Sequence, residues 1–332
     1  MDAIQTQVLF FDHIKSKLPA HLSFVDEMAE LLNISNDSAY RRIRGEKALG
    51  LDEIQVLCVT YQVSLDQLLQ IQTSTVIFTD DRVDHFSQGF NKWLQFVANT
   101  LAVFNGLQNP KMYWFSKDLP IFSFIPFPEL TAFKFFFWKR TLLAYPELGR
   151  QKFNGVEADT EAIETAKRID ALYAKIPTID IWTRDCINAT ISQIEFYREA
   201  NIFTGNDVLF KVYTQLGELV NHLEMQAETG KKLLYAKPDL QTTVSYDAYT
   251  NETLIGDNTL FVESDNRQIT FINHNGLNFM STQDAGFCEF TYKHFQNMIR
   301  KSTHISVVGE KERSIFFQKL KAEIHERMKN II

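Results

Sequence analysis

Residues 28–69, MAELLNISNDSAYRRIRGEKALGLDEIQVLCVTYQVSLDQLL, decide how this chain reads. A helix ending near Leu32 runs into Asn33-Ile34-Ser35. Asn33 tolerates a left-handed backbone, Ile34 plugs the core, and Ser35 can cap the next helix. That helix, Asn36 to Arg44, offers only Ala39 and Ile43 as clearly inward-facing residues. Asn36, Asp37, Ser38, Tyr40, Arg41 and Arg44 are left for solvent or a partner. A short helix with so thin an apolar stripe packs poorly and suits reading a groove. Gly45 stops it.

Working outward, a first helix is expected from about Thr6 to Leu18, with Val8, Leu9, Ile14 and Leu18 inward and Pro19 ending it. The second opens at Ser23, with Asp26 three residues on as in a capping box, and its stripe is Phe24, Met28, Leu31 and Leu32. Ala29 is small enough to let another helix approach closely. A fourth helix shows Leu51, Ile54, Leu57, Cys58 and Tyr61 at helical spacing. A fifth starts at Ser64 and buries Leu65, Leu68 and Leu69.

This order resembles the lambda-repressor and Cro family of bacterial helix-turn-helix regulators over residues 6–72, without a gap across 28–69. The matching features are Ala29, Ile34-Ser35 in the turn, Arg44-Gly45 at the end of the third helix, and Val63-Ser64-Leu65-Asp66-Gln67-Leu68-Leu69. The resemblance implies an all-α five-helix DNA-binding domain whose partner is double-stranded DNA. It further implies that Asn36, Asp37 and Ser38 contact base edges, that Lys47 also reaches DNA, and that Arg44 holds phosphate. Tyr40, Arg41 and Arg42 fall to groove or backbone. Position 42 is usually apolar in the family; here it is Arg42, and Ile43 supplies the core contact. Asp37 repels phosphate unless it accepts from a cytosine amino group or caps the helix.

The net charge of −7 runs against DNA binding, so its distribution matters. Residues 1–75 hold six Lys/Arg against ten Asp/Glu, leaving −4. Four of those six cations, Arg41, Arg42, Arg44 and Lys47, lie within seven residues. A focused patch can grip phosphates even on an acidic domain. Weak binding by a lone domain is expected, and with it a homodimer.

The other bulk features exclude several classes. The richest apolar stretch, Leu130 to Leu143, is short and broken by Lys134, Lys139 and Arg140, so no membrane span is expected. No basic region followed by an apolar run opens the chain, which points to the cytoplasm. Cys58, Cys186 and Cys288 lie far apart and imply neither a disulfide framework nor a metal site. The eight histidines show no metal-binding spacing, and there is no Gly-rich phosphate loop, nucleophile elbow or Cys-X-X-Cys. The expectation is a non-enzymatic protein without a cofactor.

Composition changes near residues 72–82. The chain is therefore divided into a DNA-binding domain 1–75, a linker 76–82 and a C-terminal domain 83–332, with a sub-boundary near 235–240. A helix from Asp84 to Asn105 carries Phe86, Phe90, Trp93, Val97, Leu101 and Phe104 on one stripe, as a core element or a dimerisation helix. Residues 112–138 are dense in aromatics, which fill a core or line an apolar pocket. One or two strands there should precede a helix from Glu129. Helices are expected near 157–175, 181–201, 206–228, 284–300 and 310–329. Thr259–Val262 and Gln268–Ile272 read as a β-hairpin. The C-terminal domain is thus expected to be mainly helical α+β, sensing a small-molecule or protein effector or mediating oligomerisation. The alternatives are a helix-turn-helix head fused to an enzymatic effector, and a protein-interaction module that no longer binds DNA.

Overall fold

Five helices form the first unit of the computed structural model: α1 (Ala3–Lys15), α2 (Phe24–Leu31), α3 (Asn36–Ile43), α4 (Leu51–Tyr61) and α5 (Leu65–Leu68). The structure describes residues 3–19, 21–61, 63–68, 75–80, 89–235, 237–253, 258–329 and 331. Two compact units result, Met1–Ile77 and Phe78–Ile332. The core of the first is Phe10, Phe11, Ile14, Met28, Ala29, Ala39, Leu57 and Val63. Ala29 and Ala39 are buried small residues, which allows α2 and α3 to pack closely. On α1 the two phenylalanines take the inward positions, with Phe11 set edge-on to Phe24, and Leu9 turns outward. Leu51, expected inward, is 87% exposed at the start of α4. Leu69 lies outside the described residues.

The second unit runs β1 (Thr79–Asp80), α6 (Gly89–Asn105), β2 (Lys111–Ser116), α7 (Ile121–Phe124), α8 (Pro128–Phe137), α9 (Thr160–Tyr173), β3 (Thr178–Trp182), α10 (Asn188–Glu199) and α11 (Asn206–Thr229). It continues through β4 (Lys231–Leu234), β5 (Lys237–Thr250), β6 (Thr259–Ser264), β7 (Arg267–Asn273), β8 (Phe279–Thr282), α12 (Ala285–Arg300), β9 (Thr303–His304) and α13 (Glu310–Lys329). One nine-stranded sheet organises it, in the order β1-β8-β7-β6-β2-β3-β5-β4, with β9 also on β5. β2, β3 and β5 are parallel at its centre, and the remaining pairs are antiparallel. Around the 235–240 stretch β4 ends at Leu234, β5 begins at Lys237, and the two strands pair antiparallel.

A nine-stranded mixed sheet therefore corrects the expected mainly helical α+β domain. The hairpin is present as β6 and β7, in register from Thr259↔Ile272 to Ser264↔Arg267, but β1, β3, β4, β5, β8 and β9 are not named by the sequence reading. Buried faces explain the omission. Along β2, Met112 and Trp114 enter one core, while Tyr113 and Phe115 enter a second with Cys288, Phe295 and Met298 of α12. A strand covered on both sides has no polar alternation to betray it. β3 is harder still, because Asp180 lies buried in the middle of that central strand. The helix expected at 181–201 takes in the strand's last two residues, Ile181 and Trp182, whereas the helix itself begins only at Asn188. The aromatic stripe of α6 is real from Phe90 to Phe104 and serves as core; Phe86 lies outside the described residues.

Candidate functional site

On the first unit, α3 is fixed at both ends by its own sequence. Asn33 adopts φ 51° at the turn, and Ser35 Oγ accepts the Ser38 amide at 3.3 Å. At the far end Gly45 takes φ 74°, letting the Gly45 and Glu46 amides return to Arg42 and Arg41 carbonyls. Gln7 of α1 braces the segment that follows: its amide donates to the Arg42 and Lys47 carbonyls and accepts from the Leu49 amide. Sequence reading missed Gln7, because nothing local marks a contact across some forty residues.

Held this way, α3 exposes Asn36, Asp37, Tyr40, Arg41 and Arg44, with Ser38 half-buried and Lys47 exposed beyond the turn. Arg44 stacks over the Tyr40 ring at 5.6 Å. Asn36 donates to Asp26 of α2 at 2.8 Å, so base contact there exchanges one hydrogen bond for another. Arg41 and Lys47 make no ion pair among the described residues.

Arg42 is a correction. It is 6% exposed and points inward, with Nε 3.0 Å and Nη2 2.7 Å from the Glu53 carboxylate, and Nη1 donates to the Ser38 carbonyl. Burial alone would raise the Glu53 carboxyl; Arg42 and the Gly50 amide outweigh that and hold it below the usual carboxylate range. An arginine can occupy an ordinarily apolar position here because α4 supplies a carboxylate in bidentate geometry. Its guanidinium is therefore spent inside the unit, and Arg41, Arg44 and Lys47 carry the outward positive charge.

The second unit contains a partly open cavity of about 350 Å³. Trp93, Trp114 and Trp138 wall it, helped by Phe104, Phe122, Phe137, Phe271 and Phe279. Segment 112–138 thus does both things open to it: Trp114, Phe122, Phe137 and Trp138 line the cavity, whereas Phe124, Phe127, Phe133 and Phe135 fill the core. Past α8 the helix widens into a π-helical turn, Trp138–Leu142, closed by the Leu143 amide on the Trp138 carbonyl. Trp138 and Leu142, its two ends, both reach the cavity. Such local widening often accompanies functional sites.

Few polar groups interrupt the wall: Thr100, Asp118, Gln193, Asn258 and Asn273. Behind them Lys134 is fully buried, donating to Gln193 Oε1 at 2.9 Å and Thr190 Oγ1 at 3.2 Å, 3.9 Å from Asp118 Oδ2. Its ammonium also faces the Phe124 and Trp138 rings. Burial pulls the lysine below its ordinary value, with Asp118 opposing.

A separate polar cluster lies by the central strands, where Asp170, Asp180, His222, Lys232, Tyr173 and Tyr246 meet. Burial lowers Lys232 and raises Asp180, each partly offset by the other's charge. The space between them is about 30 Å³, far smaller than the cavity. Among the described residues no group of three or more His, Cys, Asp or Glu could hold a metal ion, and no helix is long and apolar enough to cross a membrane. No protein-family model, curated protein or solved structure matches the chain.

Proposed function

We propose that the chain is a sequence-specific DNA-binding transcriptional regulator, acting as a homodimer, with α3 as the helix that enters the major groove and Phe78–Ile332 as its sensing or oligomerising part. One observation carries the reading: α3 is capped at both ends and pinned from beneath by Arg42–Glu53, yet its outer face is left to Asn36, Asp37, Tyr40, Arg41 and Arg44. A polar face held that firmly suits a partner of fixed shape. Asn36 reads a base edge, Arg41 and Arg44 hold backbone, and Lys47 contacts DNA beyond the turn. The acidic balance of the head makes one copy weak, so two heads on half-sites roughly 34 Å apart supply the affinity.

The test is selection of bound sequences from a random duplex pool by the full-length protein at two salt concentrations. A palindromic motif is expected. Asn36→Ala should relax preference at one base pair by about 1–3 kcal/mol. Arg44→Ala should weaken all sequences alike and lower the salt slope by about one. Absence of any enrichment at low salt sinks the proposal and favours a protein-interaction role for the head.

A further inference from the structure

Two of the polar side chains on the wall of the 350 Å³ cavity, Gln193 and Asn258, have hydrogen-bond donors to spare. The Gln193 amide oxygen accepts from Lys134, and the Asn258 amide oxygen accepts from the Lys117 and Asp118 amides. Backbone N–H groups and an ammonium only donate, so both side-chain amides are fixed with oxygen away and NH2 left over. Those NH2 groups make no hydrogen bond among the described residues.

Charge narrows the choice further. Among the described residues Asp118 is the one carboxylate on the cavity wall, and its Oδ1 is taken by the Leu119 amide. Lys134 stands behind it and cancels its charge. Among the described residues the wall is therefore close to neutral overall, and its one carboxylate disfavours an anion. From this we infer that the cavity binds an uncharged, ring-bearing small molecule with one or two oxygen acceptors, its rings against the tryptophans and its oxygen on the Gln193 and Asn258 donors. Site size agrees with small-ligand pockets, which begin at about 300 Å³ and pair apolar walls with a few oriented polar groups.

This assignment rests on reading Phe78–Ile332 as the sensing part of a regulator. Its test contains no DNA, so failure of the cavity and failure of the head are separately visible. Full-length protein is dialysed to equilibrium against four probes of one shape: 2-acetylnaphthalene, 2-ethylnaphthalene, 2-naphthoate and 2-naphthylmethylammonium. The ketone should bind at least tenfold more tightly than each of the other three. Gln193→Leu, which keeps the bulk and removes the amide, should shrink the margin over 2-ethylnaphthalene. Thr100→Phe, which fills space at the wall, should abolish binding while unfolding remains cooperative. Equal binding of ketone and hydrocarbon overturns the role of the donors. Preference for either ion overturns the neutral class, and no binding by any probe overturns the site.

Discussion

The two units each bury a basic residue against a carboxylate, and the two pairs behave differently. In the head, Arg42 meets Glu53 in a bidentate contact at 2.7 and 3.0 Å, with side chains 7% and 16% exposed. In the second unit, Lys134 stands 3.9 Å from Asp118, whose side chain is 24% exposed, and spends its hydrogen bonds on neutral oxygens. The first pair is a strut that locks α3 to α4 so that the other face of α3 can stay polar. The second is a charged floor beneath a cavity. Guanidinium geometry suits the strut, since two parallel hydrogen bonds fix orientation; a compact ammonium suits a site that must leave room.

The comparison breaks first at Arg42. Replacing it with Ala leaves Glu53 buried without its partner, which should cost about 3–5 kcal/mol. Amide hydrogen exchange in the full chain should show α3 and α4 losing protection while β2 and β3 keep theirs. The double variant Arg42→Met/Glu53→Leu should recover most of the loss, because two apolar side chains leave no charge stranded. A cost under about 1 kcal/mol for Arg42→Ala ends the strut interpretation.

A pH titration sharpens the contrast from the other side. His222 of α11 packs edge-on between Phe127 and Tyr235, and burial, with Lys232 nearby, lowers its ring to about 4. In the unfolded chain the same ring takes up a proton near 6.5. Stability from its neutral form is complete above pH 6.5 and is lost as pH falls toward 4, by up to ~3 kcal/mol. Urea unfolding followed at several pH values should show that slope in the second unit, and His222→Leu should flatten it.

A smaller effect belongs to Gly45. Its φ of 74° disfavours any L side chain, and a Cβ there would stand 2.7 Å from Ile4 Cγ2. Gly45→Ala should cost about 1–2 kcal/mol. If the head binds DNA as proposed, the variant should also weaken that binding more than its stability loss explains, because the turn carries Lys47.

How far each site could be read from sequence follows from how it is built. α3 is a local object: Asn33, Ser35, Ala39 and Gly45 sit within thirteen residues, and each has a role that residue type alone announces. Arg42 is the exception, since its partner lies eleven residues away on another helix. The cavity is non-local. Trp93 comes from α6, Trp114 from β2, Trp138 from the π-helical turn, and Phe271 and Phe279 from β7 and β8. Only the fold brings them together, and the central strands that do so are buried on both faces. The aromatic density of 112–138 was visible, but which rings face a void depends on partners more than a hundred residues later.

Lys134→Met should have the smallest effect on stability and the most informative effect on binding. Removing the ammonium leaves Asp118 with the Leu119 amide at 2.9 Å, the Thr190 hydroxyl at 3.4 Å and partial access to water. A carboxylate so placed is not stranded, and Met matches the length of the lost stem while removing a buried charge. The net cost should stay below about 1 kcal/mol, in contrast with Arg42→Ala. Electrostatically the cavity changes more than the fold does, because Asp118 then faces it uncompensated. In equilibrium dialysis the variant should gain affinity for 2-naphthylmethylammonium and bind 2-acetylnaphthalene no better than wild type. A large loss of stability would mean that Lys134 is a strut like Arg42, and the contrast between the two pairs would fall. An unchanged probe preference would place Asp118 outside the ligand's reach, leaving the cavity's selectivity to the tryptophans and side-chain amides alone.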